Sequence, residues 1–343
     1  NITRDKLENF RGFGGVQSYP SRTKDVDDVD FSTGSVGLGV AITSFASIVQ
    51  DYIATKSWGA DLTPGRMIAL MGDAEMDEGN IHEALQEGWK HDLRNTWWVI
   101  DYNRQSLDGV VREGLWNRIE KLFSAFGWDV VRVKYGALQR AAFTEPGGEA
   151  LRQWIDSCPN ALYSALTFSG GAEWRKRLLD DLGDQGEVSA LIERRSDPEL
   201  AALMENLGGN CVQTMADEFA AIGHDRPVCF LAYTVKGWGT PIAGHKDNHG
   251  GLMTKAQMAG WQAHMAVPEG QEWEPFAAVA DPGGLRDFLS RVPFFAAGPR
   301  RHDTPRIDVP AMSAPEGGEV STQAAFGKLL DDLARGDSQL AER

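Results

Sequence analysis

The chain has few cysteines, and their spacing does not predict a cross-linked or zinc-bound fold. Cys158, Cys211 and Cys229 are the three cysteines among 343 residues, and they form no C-x-x-C pair. Neither a disulfide framework nor a zinc knuckle is therefore indicated. Each cysteine is expected to be a small buried apolar residue or a neutral surface thiol.

Long hydrophobic runs and an excess of positive charge are also lacking. No stretch reaches about 18 uninterrupted apolar residues, and no charged segment followed by an apolar one opens the chain. The 34 Lys and Arg residues and 49 Asp and Glu residues give a net charge of −15. Such a surface disfavours nucleic acid and anionic membranes as partners. We therefore expect a reduced, cytoplasmic protein with no nucleic-acid or membrane partner.

Short apolar runs alternate with helical patterns through most of the sequence. Runs rich in β-formers predict strands, and apolar residues at helical spacing predict helices between them. The expected strands are 66–71, 96–102, 128–133 and 227–235, and the expected helices are 34–56, 78–90 and 115–126, with a mainly helical stretch over 148–222. The first of these helices has one apolar face, formed by Leu38, Ile42, Phe45, Val49 and Ile53. This alternation predicts an α/β fold, a parallel sheet with helices on both faces.

The pattern changes towards the end of the chain. Residues 292–318 lose periodicity and gain Pro, Gly and Arg, as a linker does, and a helical pattern returns over 321–343. We therefore assign residues 1–291 to one large domain, 292–320 to a linker, and 321–343 to the start of a further domain.

Two strands of the predicted sheet end in polar residues that suit a hard metal ion. Gly72 and Asp73 follow one strand, and Asn103 follows the next. Because open α/β sheets bind ligands at the carboxyl ends of their strands, Asp73 and Asn103 are expected to lie close together. Their oxygens, a main-chain carbonyl near Gln105, a diphosphate and a water would complete the octahedral shell of Mg²⁺. Taken alone, the pair also fits a helix N-cap and an ordinary turn asparagine.

A glycine-rich turn, T-G-S-V-G-L-G at 33–39, precedes the first predicted helix. Glycines let a backbone approach a ligand closely, and a helix N-terminus attracts phosphate. The turn is not G-x-G-x-x-G, so the dinucleotide-binding fingerprint is absent. Simple close packing of the helix is the alternative explanation.

A polar loop follows the last predicted strand. Lys236 stands at the end of that strand, where a lysine would neutralise a phosphate. His245 and His249 lie in a glycine-flanked loop, from which they would donate protons to a substrate oxygen. Zinc binding would need a helix and a third ligand, and the Gly and Asp residues of the loop argue against a helix. A solvated polar loop is the alternative.

In this order, the three motifs resemble the thiamine-diphosphate-dependent enzymes of the transketolase-like superfamily. Gly72 and Asp73 with Asn103 are similar to its G-D-G…N cofactor signature, and 33–39 to its T-G-x-x-G-x-G turn. Within the superfamily, the chain most resembles the homodimeric first component of pyruvate dehydrogenase complexes. The segments that carry this closer resemblance are 7–11, 18–20, 35–39, 75–78, 107–109, 207–209 and 234–239.

The resemblance implies a thiamine-diphosphate-binding fold in which residues 1–291 form the pyrophosphate-binding domain. It implies that Asp73 and Asn103 bind Mg²⁺ through their side chains and Gln105 through its carbonyl. It further implies cofactor contacts, to the diphosphate or the rings, for Gly34, Ser35, Val36, Gly72, Ala74, Glu75, Leu107 and Lys236. His249 is implied to handle the carboxylate or developing oxyanion of the substrate, with His245 as a second catalytic histidine.

The resemblance also implies that this chain alone is incomplete for catalysis. A histidine-bearing segment would precede Asn1, and the glutamate that activates the cofactor would belong to a pyrimidine-binding domain that starts within 321–343. Two features depart from the family pattern: Ala74 replaces the usual third glycine, and the loop 245–253 is closer to transketolase. The implied partners are a second copy or a pyrimidine-binding subunit, and a lipoyl acyltransferase core.

The implied function is the oxidative decarboxylation of a 2-oxo acid, with pyruvate as the expected substrate, and transfer of the acyl group to lipoyl groups of a multienzyme complex. Thiamine diphosphate supplies the carbon that attacks the keto group and accepts its electrons. Two other interpretations stay open. One is transketolase-type transfer of two carbons between sugar phosphates, and the other is a non-catalytic cofactor-binding or regulatory subunit.

Overall fold

The computed structural model describes residues 3–22, 25, 29–58, 64–106, 109–296, 311 and 318–336. The chain divides into two compact units, Asn1–Pro282 and Gly283–Arg343. All of the predicted site residues belong to the first unit.

A parallel sheet of four described strands forms the centre of the first unit. The strands are β1 (Met67–Gly72), β2 (Thr96–Tyr102), β3 (Asp129–Val133) and β4 (Val228–Tyr233). Their order is β1-β2-β4-β3, and every neighbouring pair is parallel. Gly72 pairs with Asp101, which pairs with Ala232, so three strands end at the same edge. The predicted α/β class is confirmed, and each predicted strand lies within a few residues of its observed bounds.

Helices connect these strands, and long stretches of the chain between β3 and β4 are helical. The helices of the first unit are α1 (Arg4–Glu8), α2 (Leu38–Thr55), α3 (Gly79–Lys90), α4 (Leu115–Ala125), α5 (Ala137–Phe143), α6 (Gly148–Ser157), α7 (Asn160–Ser169), α8 (Gly171–Leu182), α9 (Gly186–Glu193), α10 (Asp197–Glu205), α11 (Val212–Ala220) and α12 (Lys255–His264). Short 3-10 helices span Asp73–Asp77 and Gly208–Asn210. The mainly helical character predicted for 148–222 is confirmed.

Most of the described residues of the second unit lie in helices. Helix α13 (Pro282–Arg291) begins at the last residue of the first unit, and α14 (Pro293–Ala296) and α15 (Thr322–Arg335) follow. The helix predicted over 321–343 is confirmed as far as Arg335, and residues 337–343 lie outside the described part. Most of the predicted linker, 297–310 and 312–317, also lies outside it, so the domain assignment stays a prediction.

Large apolar side chains from alternate positions of the strands bury both faces of the central sheet. Trp98 and Ile100 of β2 are fully buried in the larger core, with α2, α3 and α4. Trp97 and Phe230 pack on the other face against Phe219 of α11. At the edge strand β1, the residues that share this second face, Ile68 and Leu70, are 55% and 76% exposed. Helices therefore cover both faces, as predicted, but the second face is left open at β1.

Helix α2 packs on the sheet through small residues rather than through its large apolar face. Its buried residues are Val40, Ala41, Thr43, Ser44 and Ser47. Small side chains allow the helix to approach β1 and β2 closely, whereas Leu38, Phe45 and Val49 stay about half exposed. By length and composition alone α2 is also long and apolar enough to cross a membrane, which for a single helix is weak evidence.

A buried hydrogen bond joins α2 to β2, and its removal provides a test of this packing. The Trp98 indole Nε1 donates to Thr43 Oγ1 at 3.0 Å, and that hydroxyl donates to the Val40 carbonyl. Replacement Thr43→Val keeps the shape but leaves the indole N–H buried without an acceptor. We expect a loss of about 1–3 kcal/mol in the free energy of unfolding, measured by urea denaturation.

The matched control is Thr55→Val, at the exposed end of the same helix. The Thr55 hydroxyl donates only to the Asp51 carbonyl, and both groups reach solvent. This change should alter stability by no more than about 0.5 kcal/mol. Equal effects at the two positions would show that the buried hydrogen bond does not hold α2 on the sheet.

Candidate functional site

The residues predicted to bind the cofactor line one cavity at the carboxyl edge of the sheet. The cavity has a volume of about 990 Å³. All of the predicted site residues but two line it, namely Gly34, Ser35, Val36, Gly72, Asp73, Ala74, Glu75, Asn103, Gln105, Lys236 and His249. Leu107 lies outside the described residues, and His245 is not part of the lining. The fold therefore brings together three motifs that are separate in the sequence.

Asp73, directly after β1, is the most deeply buried acid of the cavity. Its side chain is 3% exposed, and its Oδ2 accepts a hydrogen bond of 2.8 Å from the Arg104 amide. Its Oδ1 is buried and has no partner among the described residues. Burial raises the pKa of Asp73 to about 6, and the negative charge of Asp101 adds to this increase, while the Arg104 and Ala74 amides and the Lys236 ammonium act to lower the pKa. One carboxylate oxygen is thus fixed, and the other is free to accept a ligand.

Asn103 and Gln105 follow β2 and form a tight turn beside Asp73. The Gln105 amide donates to Asn103 Oδ1 at 2.9 Å, and both residues are buried. The Gln105 carbonyl accepts from the Lys236 ammonium at 3.4 Å, and the Ser106 carbonyl accepts from the same group at 3.5 Å. Burial lowers the pKa of Lys236, while the carboxylates of Asp73 and Asp101 act to raise it. The Gln105 carbonyl therefore already faces a positive charge.

Glu75 connects the glycine-rich turn to the end of β1. Its Oε1 accepts from the Gly72 amide at 3.1 Å, and its Oε2 accepts from the Gly37 amide at 3.0 Å. Gly37 has a φ of 81°, and a Cβ there would lie 2.3 Å from Asn80 Oδ1, so the position needs glycine. The Glu75 carboxylate thus accepts hydrogen bonds from two backbone amides of the site, a role that the sequence did not indicate.

Arg104, which no sequence pattern singled out, lies between the two predicted metal-binding residues of this turn. Arg104 has a φ of 65° and is 7% exposed. Its Nη2 donates to the Thr234 carbonyl at 2.9 Å, and its guanidinium lies 5.0 Å from the centre of the Tyr163 ring. Thr234 in turn donates its hydroxyl to the Asp101 carboxylate. Arginine is usually exposed, and only its position within the motif could have drawn attention to it.

The structure separates the two histidines of the loop that follows β4. His249 lines the cavity together with Asp73 and Lys236. His245 instead packs its ring on Phe168, with the ring centres 4.6 Å apart, and its Nδ1 accepts from the Asp247 amide. His249 is therefore the histidine placed to meet a ligand in the cavity.

The donor atoms at the edge are oxygens of mixed type. No group of three or more His, Cys, Asp or Glu side chains in the described ranges is arranged to hold a metal ion. The predicted metal ligands are the Asp73 carboxylate, the Asn103 amide oxygen and the Gln105 main-chain carbonyl. Only one of the three is a carboxylate, so this set would not be found as a cluster of acidic, histidine or cysteine side chains. Its chemistry suits a cation that prefers hard oxygen ligands.

Comparison with known proteins finds similarity to one family of domains and to several longer proteins. Residues 1–144 match the family described as transketolase, thiamine diphosphate binding domain. The pyruvate dehydrogenase E1 component of Cupriavidus necator is 26% identical over 365 residues, which cover 99% of this chain and 40% of that protein. The E1 component of Mycolicibacterium smegmatis is 29% identical over 258 residues, 72% of this chain and 27% of that protein.

Among solved structures, the transketolase from Leishmania mexicana matches with a TM-score of 0.46 and 19% sequence identity. The match covers 77% of this chain and 29% of that one. The chain spans about two fifths or less of the length of the pyruvate dehydrogenase E1 components that it matches. By the family match over residues 1–144 and by these relatives, the chain is similar to the thiamine diphosphate binding domain of transketolases and to pyruvate dehydrogenase E1 components.

Proposed function

We propose that this chain is the diphosphate- and magnesium-binding part of an enzyme that oxidatively decarboxylates a 2-oxo acid, pyruvate, and passes the acyl group to lipoyl groups. One observation carries the proposal: Asp73 Oδ1 is buried with no hydrogen-bond partner in the described ranges, and Asp73 lines the same cavity as Asn103, Gln105, Lys236 and His249. The names of the curated relatives support a 2-oxo acid rather than a sugar phosphate as the substrate class. The proposal concerns the assembled enzyme, since the chain spans only part of those relatives.

The residues at the edge fit Mg²⁺ by their chemistry. A buried carboxylate oxygen without a donor is unfavourable, and a divalent cation would satisfy it. Asn103 and the Gln105 carbonyl would add two further hard oxygen donors, which is the ligand type that Mg²⁺ selects. We therefore infer that Asp73 and Asn103 bind the metal with their side chains and Gln105 with its carbonyl.

Lys236 and His249 fit the two other tasks of such a site. Within the described part of the chain, the Lys236 ammonium donates to the Gln105 and Ser106 carbonyls, and a diphosphate would give it an anionic acceptor instead. When bound, thiamine diphosphate supplies the nucleophilic carbon and the electron sink. His249 would donate a proton to the substrate oxygen or contact its carboxylate.

A second subunit is part of the proposal. Leu38, Phe45, Val49 and Tyr52 project from one side of α2 and are each about half exposed. A contiguous apolar face of this kind is typical of a protein interface. We propose that a second copy of the chain or a pyrimidine-binding subunit covers it and contributes the glutamate that activates the cofactor. We also propose a cytoplasmic location and a lipoyl acyltransferase partner.

The raised pKa of Asp73 predicts a pH-dependent stability in the cofactor-free protein. Because this pKa of about 6 exceeds the 3.8 of an ordinary Asp, the folded state holds the proton more tightly. The resulting stabilisation is complete below about pH 4 and is lost as the pH rises through about 6. Relative to Asp73→Asn, the wild type should lose about 2–3 kcal/mol between about pH 4 and 7. Urea denaturation of both proteins across this range measures it, and parallel curves would contradict it.

Asp73 is also the residue on which metal-dependent cofactor binding is expected to depend. Asp73→Asn should weaken thiamine diphosphate binding in the presence of Mg²⁺ by about 100-fold or more, because the unpartnered oxygen loses its charge. Isothermal titration calorimetry of the full protein gives the affinity. Asp77→Asn is the matched control, since Asp77 lines the same cavity but is exposed. If the two variants bind equally well, Asp73 is not a metal ligand.

Replacement of His249 distinguishes an enzyme from a protein that only binds the cofactor. His249→Ala should lower turnover of pyruvate with ferricyanide by about 10²–10⁴-fold and leave thiamine diphosphate affinity nearly unchanged, because the proposed metal and diphosphate ligands are other residues. His245→Ala should have a smaller effect, since its ring packs on Phe168.

The same assay with a sugar-phosphate pair tests the reaction class. Turnover of the sugar phosphates, with none of pyruvate, would establish two-carbon transfer instead. No turnover of either substrate by the assembled protein would favour a regulatory subunit. An effect of His249→Ala below about threefold, far under the usual range, would remove His249 from the mechanism.

A further inference from the structure

Asn248, the neighbour of His249, anchors its loop to the interior through one side-chain amide. Its Nδ2 donates to the Lys236 carbonyl at 2.9 Å and to Gln105 Oε1 at 3.3 Å. Asn248 is partly buried, whereas Lys246, Asp247 and His249 around it are exposed. It does not line the cavity. The inward turn of this side chain therefore determines how the loop lies against the body of the protein.

Gln105 holds the same loop at a second point. Its Nε2 donates to the Gly244 carbonyl at 3.3 Å, while its Oε1 accepts from Asn248. The carboxamide is buried and spans both ends of the turn that carries His245. Gly244 has a φ of 72°, and a Cβ there would lie 2.6 Å from the Ser164 carbonyl, so the backbone is closely packed at this end. The Gln105 side chain is thus hydrogen-bonded to the loop at both residue 244 and residue 248.

Gln105 also faces the cofactor site with its main chain. Its carbonyl accepts from Lys236 and is one of the three proposed metal ligands. Lys236 in turn offers its own carbonyl to Asn248. Two residues of the metal and diphosphate site therefore touch the loop directly, one through its carboxamide and the other through its backbone.

We propose that the side chains of Asn248 and Gln105 form a clamp that positions His249 over the metal and diphosphate site. The inference rests on the proposed function, and Asn248 acts in it as a positioning residue that touches neither cofactor nor substrate. With residue 248 turned inward, the next side chain in the loop is directed to the cavity. His245, on the other side of the clamped turn, packs on Phe168 instead.

Asn248→Asp is the most informative variant, because it removes the Nδ2 donor and adds a negative charge at the same position. A carboxylate there would face two acceptors, the Lys236 carbonyl and Gln105 Oε1, and would lose both donated hydrogen bonds. Rotation of the Gln105 amide would let its Nε2 donate to the new carboxylate. The same rotation would turn Gln105 Oε1 towards the Gly244 carbonyl, so that two acceptors would face each other. Two lost neutral hydrogen bonds correspond to about a 10–30-fold shift in the loop equilibrium. Asn248→Ala removes the same bonds without adding charge and serves as the second variant.

The matched control is Asp247→Asn, one residue away. The Asp247 side chain forms an exposed ion pair with Lys246, inside the same loop. Replacing it changes the charge of the loop by one unit, as Asn248→Asp does in the opposite direction, without touching the clamp. Exposed ion pairs contribute little to stability, so turnover and the exchange of the loop amides should stay close to those of the wild type.

Hydrogen exchange of the amides at 244–250, in the full protein without substrate, is the primary measurement. We expect exchange to accelerate by about 10–30-fold in both Asn248 variants, and kcat for pyruvate to fall by a similar factor. The affinity for thiamine diphosphate with Mg²⁺ should stay within about threefold of the wild type, because two weak hydrogen bonds and no proposed ligand have changed.

Three results would overturn the clamp. Unchanged exchange at 244–250 would show that the loop does not depend on Asn248. Faster exchange with unchanged kcat would show that the clamp does not position His249. A large loss of thiamine diphosphate affinity would make Asn248 part of the cofactor site. Failure of the proposed function is distinguishable, because it would appear as unchanged cofactor binding in Asp73→Asn.

Discussion

The hydrogen bond from the Arg104 amide to Asp73 Oδ2 sets the geometry on which the rest of the site depends. It joins the residue after β1 to the turn after β2, at 2.8 Å and out of contact with water. The left-handed φ of Arg104 aims its amide in this direction, and its guanidinium holds the position by donating to the Thr234 carbonyl after β4. The ends of three neighbouring strands are thereby tied together, and Asp73 Oδ1 stays without a hydrogen-bond partner among the described residues.

Burial destabilises two charged side chains of this arrangement. Burial raises the pKa of Asp73 and lowers the pKa of Lys236, so each charged form is less stable here than in water. The strands below compensate, because β2 and β4 are buried almost throughout and carry Trp98, Ile100 and Phe230 in the core. Stability resides in the apolar layers, and the edge retains unsatisfied groups that a metal and a diphosphate would complete.

The cavity is lined by the turns that follow β1 and β2 and by the loop that follows β4, and Gln105 contacts residues of both parts. Its main chain lies in the turn that Asn103 closes, and its carboxamide holds the loop of His245 and His249. Glu75 likewise contacts two segments, because its two carboxylate oxygens join the glycine-rich turn to the end of β1. Side chains that the motifs suggest as cofactor contacts thus also hold the segments of the site to one another.

Much of the architecture follows from the sequence alone. Short apolar runs define the four strands, and the parallel order brings Asp73 and Asn103 to one edge because both follow neighbouring strands. Tertiary structure decided which face of α2 packs on the sheet, since Thr43 and Ser47 satisfy their hydroxyls there and large residues would hold the helix away. It also decided which histidine faces the cavity and gave Arg104 and Asn248 their roles. The contacts responsible join residues 130 to 143 positions apart, between Arg104 and Thr234 and between Gln105 and Asn248, and periodicity and local motifs do not encode pairings over such separations.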